Sequence, residues 1–160
     1  MKPKKSWGEK LRDSKGLPKI ATISGKMTKR WGEGRMVIPA PIEVDDLMKK
    51  VPKGRVVTIN ELRGALASKH KVEFTCPITT GIFSWIAAHA AAEARVAGAK
   101  RITPYWRTLK TGGEINPKYP GGIKAVTRLL KAEGHKISRR GQRSFVDKHE
   151  TVLFRALAQR

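Results

Sequence analysis

A single cysteine, Cys76, in 160 residues excludes an internal disulfide and a thiolate zinc site. Acidic residues are scarce. Thirteen Asp and Glu stand against 34 Lys and Arg, a formal net charge of +21 with a pI near 10.7, so the expected partner is a polyanion. Long apolar runs are missing too. The longest, residues 81–99, is broken by His89, Glu93 and Arg95, and no membrane span is expected. Residues 1–19 hold no apolar stretch, so a signal peptide is not expected and a cytoplasmic, nucleoid-associated location is. His70, His89, His135 and His149 show neither HxxxH nor HExxH spacing. With no Walker loop and no GxGxxG at a strand–helix turn, neither a metal nor a cofactor is expected.

The charge that is present is uneven. Residues 1–35 hold eleven Lys/Arg against three acids, and residues 135–160 hold seven against two. The length fits one domain with extensions: a basic N-terminal arm over 1–35, a central domain over 36–137, and a basic C-terminal extension with a short helix over 138–160. A solvated arm is the ordinary reading of such a start, while Trp7 and Trp31 argue against complete disorder.

The centre reads as a series of helices. Pro41 opens the first, with Glu43, Asp45 and Asp46 in its first turn, Lys49 and Lys50 in its last, and Pro52 and Gly54 beyond. Thr58 caps a second, with Glu61 at capping-box spacing, and this helix ends near His70. Residues 72–76 form a connector with room for a short strand. A third helix is predicted from Thr79 or Thr80 to about Val96, with Ile82, Phe83, Ile86 and Ala90 as its buried stripe. Thr111-Gly112-Gly113 reads as a hairpin tip between Leu109 and Ile115. A fourth helix over 123–132 buries Ile123, Val126, Leu129 and Leu130, and Gly134 closes it. Phe145 and Val146 suit a strand, and Asp147 with Glu150 suits the cap of a last helix carrying Val152, Phe154 and Leu157. The expected class is mainly α with a small β hairpin, a winged helix-turn-helix DNA-binding domain.

Thr80, Ser84, Ala87, Ala88, Ala91 and Arg95 share one face of the third helix, and that face is almost free of bulk. Two readings stand: tight packing on another helix, or insertion into a narrow nucleic-acid groove.

Val51-Pro52-Lys53-Gly54-Arg55-Val56-Val57-Thr58 resembles the IPxGxVxTY segment of the alkylguanine-DNA alkyltransferase family. Pro104-Tyr105-Trp106-Arg107 falls where that family has Pro-Cys-His-Arg. Tyr119-Pro120-Gly121-Gly122, followed by Leu129-Leu130-Lys131-Ala132-Glu133-Gly134, resembles its closing segment. The resemblance spans roughly residues 40–137. It implies a winged helix-turn-helix that inserts its third helix in the DNA minor groove, flips an alkylated guanine into a pocket and passes the alkyl group to the motif's Cys. Mapped residue by residue, it implies a lesion pocket formed by Pro104, Tyr105, Trp106, Tyr119 and Glu133. DNA contacts would come from Thr80, Gly81, Ser84 and Ala88 on the helix, and from Lys100, Arg101, Arg107, Lys110 and Lys118 on phosphates.

The departures bear on chemistry. Tyr105 replaces the nucleophilic Cys, and a phenol with a pKa near 10 is a poor alkyl acceptor at neutral pH. Trp106 replaces the general-base His. The pattern resembles the alkyltransferase-like proteins, which bind alkylated guanine without repairing it and pass it to excision repair. Ile59 stands where the family has a Tyr that helps rotate the nucleotide, and Thr79-Thr80-Gly81 lacks the family's Arg finger. Cys76 remains open, as a relocated alkyl acceptor or as an ordinary buried small side chain. The leading expectation is a monomeric, non-catalytic DNA-binding recogniser of alkylated guanine in double-stranded DNA, with excision-repair proteins as further partners. The alternatives are an active DNA methyltransferase using Cys76 and a general nucleic-acid-binding protein.

Overall fold

The computed structural model describes residues 4–158. The N-terminal region supplies α1 (Trp7–Arg12), β1 (Lys19–Ile23), α2 (Met27–Trp31) and β2 (Gly34–Ile38). The centre follows with α3 (Pro41–Met48), β3 (Val57–Thr58), α4 (Ile59–His70), β4 (Phe74–Thr75) and α5 (Pro77–Val96). After a 3-10 turn over Tyr105–Arg107 come β5 (Thr108–Leu109), α6 (Gly122–Ala132), β6 (Ile137–Arg140) and β7 (Arg143–Val146). Helices and strands are thus mixed. The strands form three small sheets, none of them the expected hairpin between Leu109 and Ile115: β1-β2-β4, the parallel pair β3-β5, and the antiparallel hairpin β6-β7.

Local chemistry places the central helices where the sequence puts them. Thr58 Oγ1 accepts from Asn60 N at 3.2 Å, and Glu61 Oε1 accepts from Thr58 N at 2.7 Å, which closes the capping box of α4. In α3, Glu43 accepts from Ala40 N at 3.0 Å and also pairs with Lys69 and His70, both at 2.7 Å, tying α3 to the end of α4. The main core gathers Val44, Met48, Val57, Leu62, Leu66, Leu109, Ile115, Val126 and Leu130 around α5.

Four expectations change. The third helix starts at Pro77, two residues before Thr79, because proline at the first helical position has no N–H to lose. Ile82 is exposed rather than part of the buried stripe. The loop at Thr111-Gly112-Gly113 is a 3-10 turn closed by the Lys110–Glu114 bridge, and the strand before it pairs with β3 instead. The last segment forms only a 3-10 turn, His149–Val152, because the chain then runs extended against Val56: Val56 N donates to Val152 O at 3.0 Å and Phe154 N to Val56 O at 2.8 Å. Leu157 still reaches the core.

The basic N-terminal region is docked on the centre from α1 onward. Glu93 of α5 accepts from the backbone N–H of Trp7 and Gly8, at 3.0 and 3.1 Å. The Trp7 ring stacks on His89 at 4.6 Å and meets Trp85 edge-on at 4.8 Å. Strand β1 pairs with β2 along its whole length, and β2 continues the dock by pairing in parallel with β4 of the centre. The Trp31 side chain lies outside the described residues.

Candidate nucleic-acid interface

Helix α5 has two faces with opposite roles. Thr80, Ser84, Ala87, Ala88 and Ala91 are buried, and the helix packs on α3 and α1. Their small volume permits close approach of helix backbones, so the tight-packing reading holds. Thr80 and Ala88 offer no side-chain surface for a groove, which corrects the assignment of those two as DNA contacts, while Ser84, also buried, lines the second cavity described below. The two hydroxyls turn back onto the helix, Thr80 Oγ1 to Cys76 O at 2.7 Å and Ser84 Oγ to Gly81 O at 2.8 Å. The opposite face is apolar and open: Ile78 is 58% exposed and Ile82 46%. With Gly81, Trp85, Lys110 and Lys118, these two line a groove of about 450 Å³. Gly81 alone of the four helix residues singled out in the sequence faces outward, and nothing lies within 4 Å of where its Cβ would be.

A second cavity of about 320 Å³ opens beside the first and shares Gly81, Lys110 and Asn116 with it. Its walls are Ile59 at the start of α4, Pro77 and Ser84 of α5, Leu109 and Tyr119. Lys110 and Lys118 are exposed at the rim of this double groove. An Asn116 Oδ1 bond from Lys118 N at 2.9 Å fixes the loop between them. Burial pushes the Tyr119 hydroxyl up to about 12, against the pull of hydrogen bonds to Ser84 and Asn116, so Tyr119 is a neutral phenol at any physiological pH. Ile59, Asn116 and the two exposed isoleucines were not singled out as site residues in the sequence. Ile78 and Ile82 are spaced i, i+4, the signal of one helix face, and only the packing of the other face shows that this one is free.

The residues expected to form a single lesion pocket are divided. Tyr119 lines the 320 Å³ cavity, but Tyr105 is buried and does not. Its ring meets Trp106 and Tyr119 edge-on, at 5.3 and 5.8 Å. Burial raises its pKa and the Arg95 charge opposes that. Trp106 and Pro104 face away, into a separate groove of about 620 Å³ shared with Lys49, Lys100 and Arg101. Lys100 and Arg101 are exposed there, apart from Lys110 and Lys118.

Glu133 explains where Trp106 and Arg107 go. Trp106 Nε1 donates to Glu133 Oε2 at 2.9 Å; Arg107 donates from Nε to Oε1 at 2.9 Å and from Nη2 to Oε2 at 2.7 Å. Arg107 Nη1 also donates to Val51 O at 2.7 Å. Burial works to raise the Glu133 pKa, and the donors from Arg107 and Trp106 with the Arg107 charge outweigh it, leaving the carboxyl below its ordinary range. Arg107, mostly buried and bidentate, is therefore a structural clamp rather than a phosphate contact. His135 lies beside this cluster with Nε2 unpartnered, and burial lowers its pKa.

No family model and no curated protein matches the sequence. Among solved structures, the crystal structure of S. pombe Atl1 in complex with damaged DNA containing O6-carboxymethylguanine is similar, with a TM-score of 0.50 at 16% identity. The likeness covers 71% of this chain and 93% of Atl1. The fold is similar to that of Atl1, an alkyltransferase-like protein.

Within this alkyltransferase-like fold, Cys76 sits apart from the cavity walls. It is the residue before α5, is buried, and packs with Ile23 and Met36 in a small second core. Its backbone N donates to Val37 O at 2.9 Å and its carbonyl receives Thr80. Among the described residues no group of three or more His, Cys, Asp or Glu is placed to hold a metal ion, and no helix is long and apolar enough to cross a membrane.

Proposed function

We propose that this chain binds double-stranded DNA through the open face of α5 and holds an alkylated guanine, without accepting the alkyl group, in the cavity between Ile59 and Tyr119. The observation that carries the reading is that cavity: about 320 Å³ of room, apolar on Ile59 and Leu109, polar on Asn116 and Tyr119, beside exposed Ile78 and Ile82. Lys110 and Lys118 supply rim charge for phosphates. The likeness to Atl1, which was solved on damaged DNA, supports the same assignment. Helices α3 to α5 are not needed as readers of base edges in this scheme: α5 acts as the wedge of a helix-turn-helix, and the extruded base gains walls that compensate for a few kcal/mol of lost stacking. Glu114 and Lys110 share the lining, but no thiol does. Tyr119 is locked in its neutral form, and the one thiol faces a different core. Transfer of the bound lesion to excision-repair proteins belongs to the same proposal.

A second reading, duplex binding without lesion preference, is favoured by Gly81, which leaves that point of the open face of α5 without a side chain to fill a vacated base stack. Incubation with a duplex containing O6-methylguanine separates chemistry from recognition. The reading expects the duplex to be retained and the intact mass of the protein to stay unchanged. Gain of one methyl mass on the chain overturns it.

A further inference from the structure

The β6-β7 hairpin bears a concentration of charge that the fold does not require. Its register places Ile137 opposite Val146, Ser138 opposite Phe145, Arg139 opposite Ser144 and Arg140 opposite Arg143. Directly opposed residues share a face. On β7 the face carrying Val146 and Ser144 is buried, while Arg139, opposite Ser144 on the same face, is exposed. The other carries Arg140 and Arg143 face to face at the exposed tip. Like charges in that relation repel, and neither arginine has a carboxylate partner among the described residues. Arg140 rests on the Phe145 ring at 4.2 Å, which holds its guanidinium over the outward face.

The hairpin is also joined to the rim of the cavity. Ile115 N donates to Ser144 O at 2.8 Å, Glu114 bridges Phe145, and Lys110 N donates to Glu114 O at 2.8 Å. Lys110, Glu114, β7 and β6 therefore lie side by side. At about 4.8 Å per strand spacing the row spans about 14 Å, close to the ~12 Å width of a DNA major groove.

Resting on the duplex-binding reading above, we propose that the β6-β7 hairpin is a second contact on the same DNA, with Arg140 and Arg143 seated on backbone phosphates one groove away from those held by Lys110. The opposed arginines are then neutralised by the ligand, which accounts for a repulsion that the free protein carries. Backbone contact of this kind adds affinity and register but no base preference.

The test measures binding of the full chain to O6-methylguanine and plain duplexes of 20 base pairs across a salt series. It compares the wild type with R140Q/R143Q and R140K/R143K, each checked for an unchanged thermal transition. Two lost phosphate contacts lower the slope of log affinity against log salt by about 2 and weaken both duplexes alike, by about tenfold at low salt, while the ratio between duplexes stays fixed. The lysine variant keeps most of the slope. Equal affinity and slope in wild type and R140Q/R143Q overturn the proposal, as does a collapse of the lesion ratio at constant slope. Tighter binding of single-stranded RNA that is lost in R140Q/R143Q also overturns it, in favour of an RNA-binding hairpin. A wild type that binds both duplexes equally, with the slope still falling in R140Q/R143Q, overturns the lesion reading and leaves the hairpin contact standing. A wild type that binds no duplex overturns both.

Discussion

Tyr105 and Tyr119 meet edge to face with ring centroids 5.8 Å apart, and only Tyr119 reaches the cavity beside α5. The aromatic at the acceptor position of the motif is thus a core residue that backs the wall rather than forming it. Replacing Ile59 with Ala removes one open wall and is expected to weaken lesion binding about fivefold, roughly 1 kcal/mol of apolar contact, with plain-duplex affinity nearly unchanged. Tyr105→Phe, which keeps the buried ring, is expected to leave the lesion ratio as it is. Parallel titrations of the two variants check both statements.

Arg107 and Glu133 form the clamp that fixes the 3-10 turn over Tyr105–Arg107. Arg107→Ala leaves a mostly buried carboxylate without its partner and is expected to cost about 3–5 kcal/mol of folding stability. Urea denaturation measures that loss. The salt slope of DNA binding should not change, in contrast to the Lys110→Ala variant, where it should fall by about 1.

Acid sensitivity follows from the same cluster. Glu133 and Glu43 have pKa values below their ordinary 4.5 in the folded chain, so their contribution is complete above that value and is lost as pH falls through the lowered folded values. His135 works in the same direction at higher pH. Its folded pKa is below 6.5, the unfolded chain takes up the proton first, and stability begins to fall once pH drops below 6.5. Thermal melts from pH 8 to pH 3 should show a shallow decline first and a steeper one later. Glu133→Gln should flatten the steeper part relative to its own value at pH 7.

Gly81 is a helical glycine with open space before it. Gly81→Ala is expected to stabilise the fold by about 0.5–1 kcal/mol through helix propensity alone. Gly81→Arg places a long cation on the open face of α5 and is expected to raise affinity for duplex DNA several-fold. A melt and a titration of each variant are the readouts.

Much of the helical frame was legible because its signals are local. The Thr58–Glu61 box, the acids after Pro41 and the glycine at 134 act within a few residues of themselves. The order of motifs along the chain also led to the correct neighbour fold. The site was less legible, for a physical reason. Whether a small helix face packs or enters a groove is decided by α1 and α3, and no periodicity in α5 carries that information. Likewise nothing adjacent to Arg107 in sequence announces that Glu133, 26 residues on, will take two of its three nitrogens. The C-terminal segment was misread as a helix because its cap signals are real, but the backbone of Val56 competes for its hydrogen bonds and wins.

The central claim is discrimination by the cavity between Ile59 and Tyr119. A competition titration at fixed salt, with unlabelled O6-methylguanine duplex against unlabelled plain duplex of the same sequence, measures it directly. The account predicts that the modified duplex displaces the probe at several-fold lower concentration in the wild type and that Ile59→Ala narrows this gap. Identical displacement by both duplexes contradicts it.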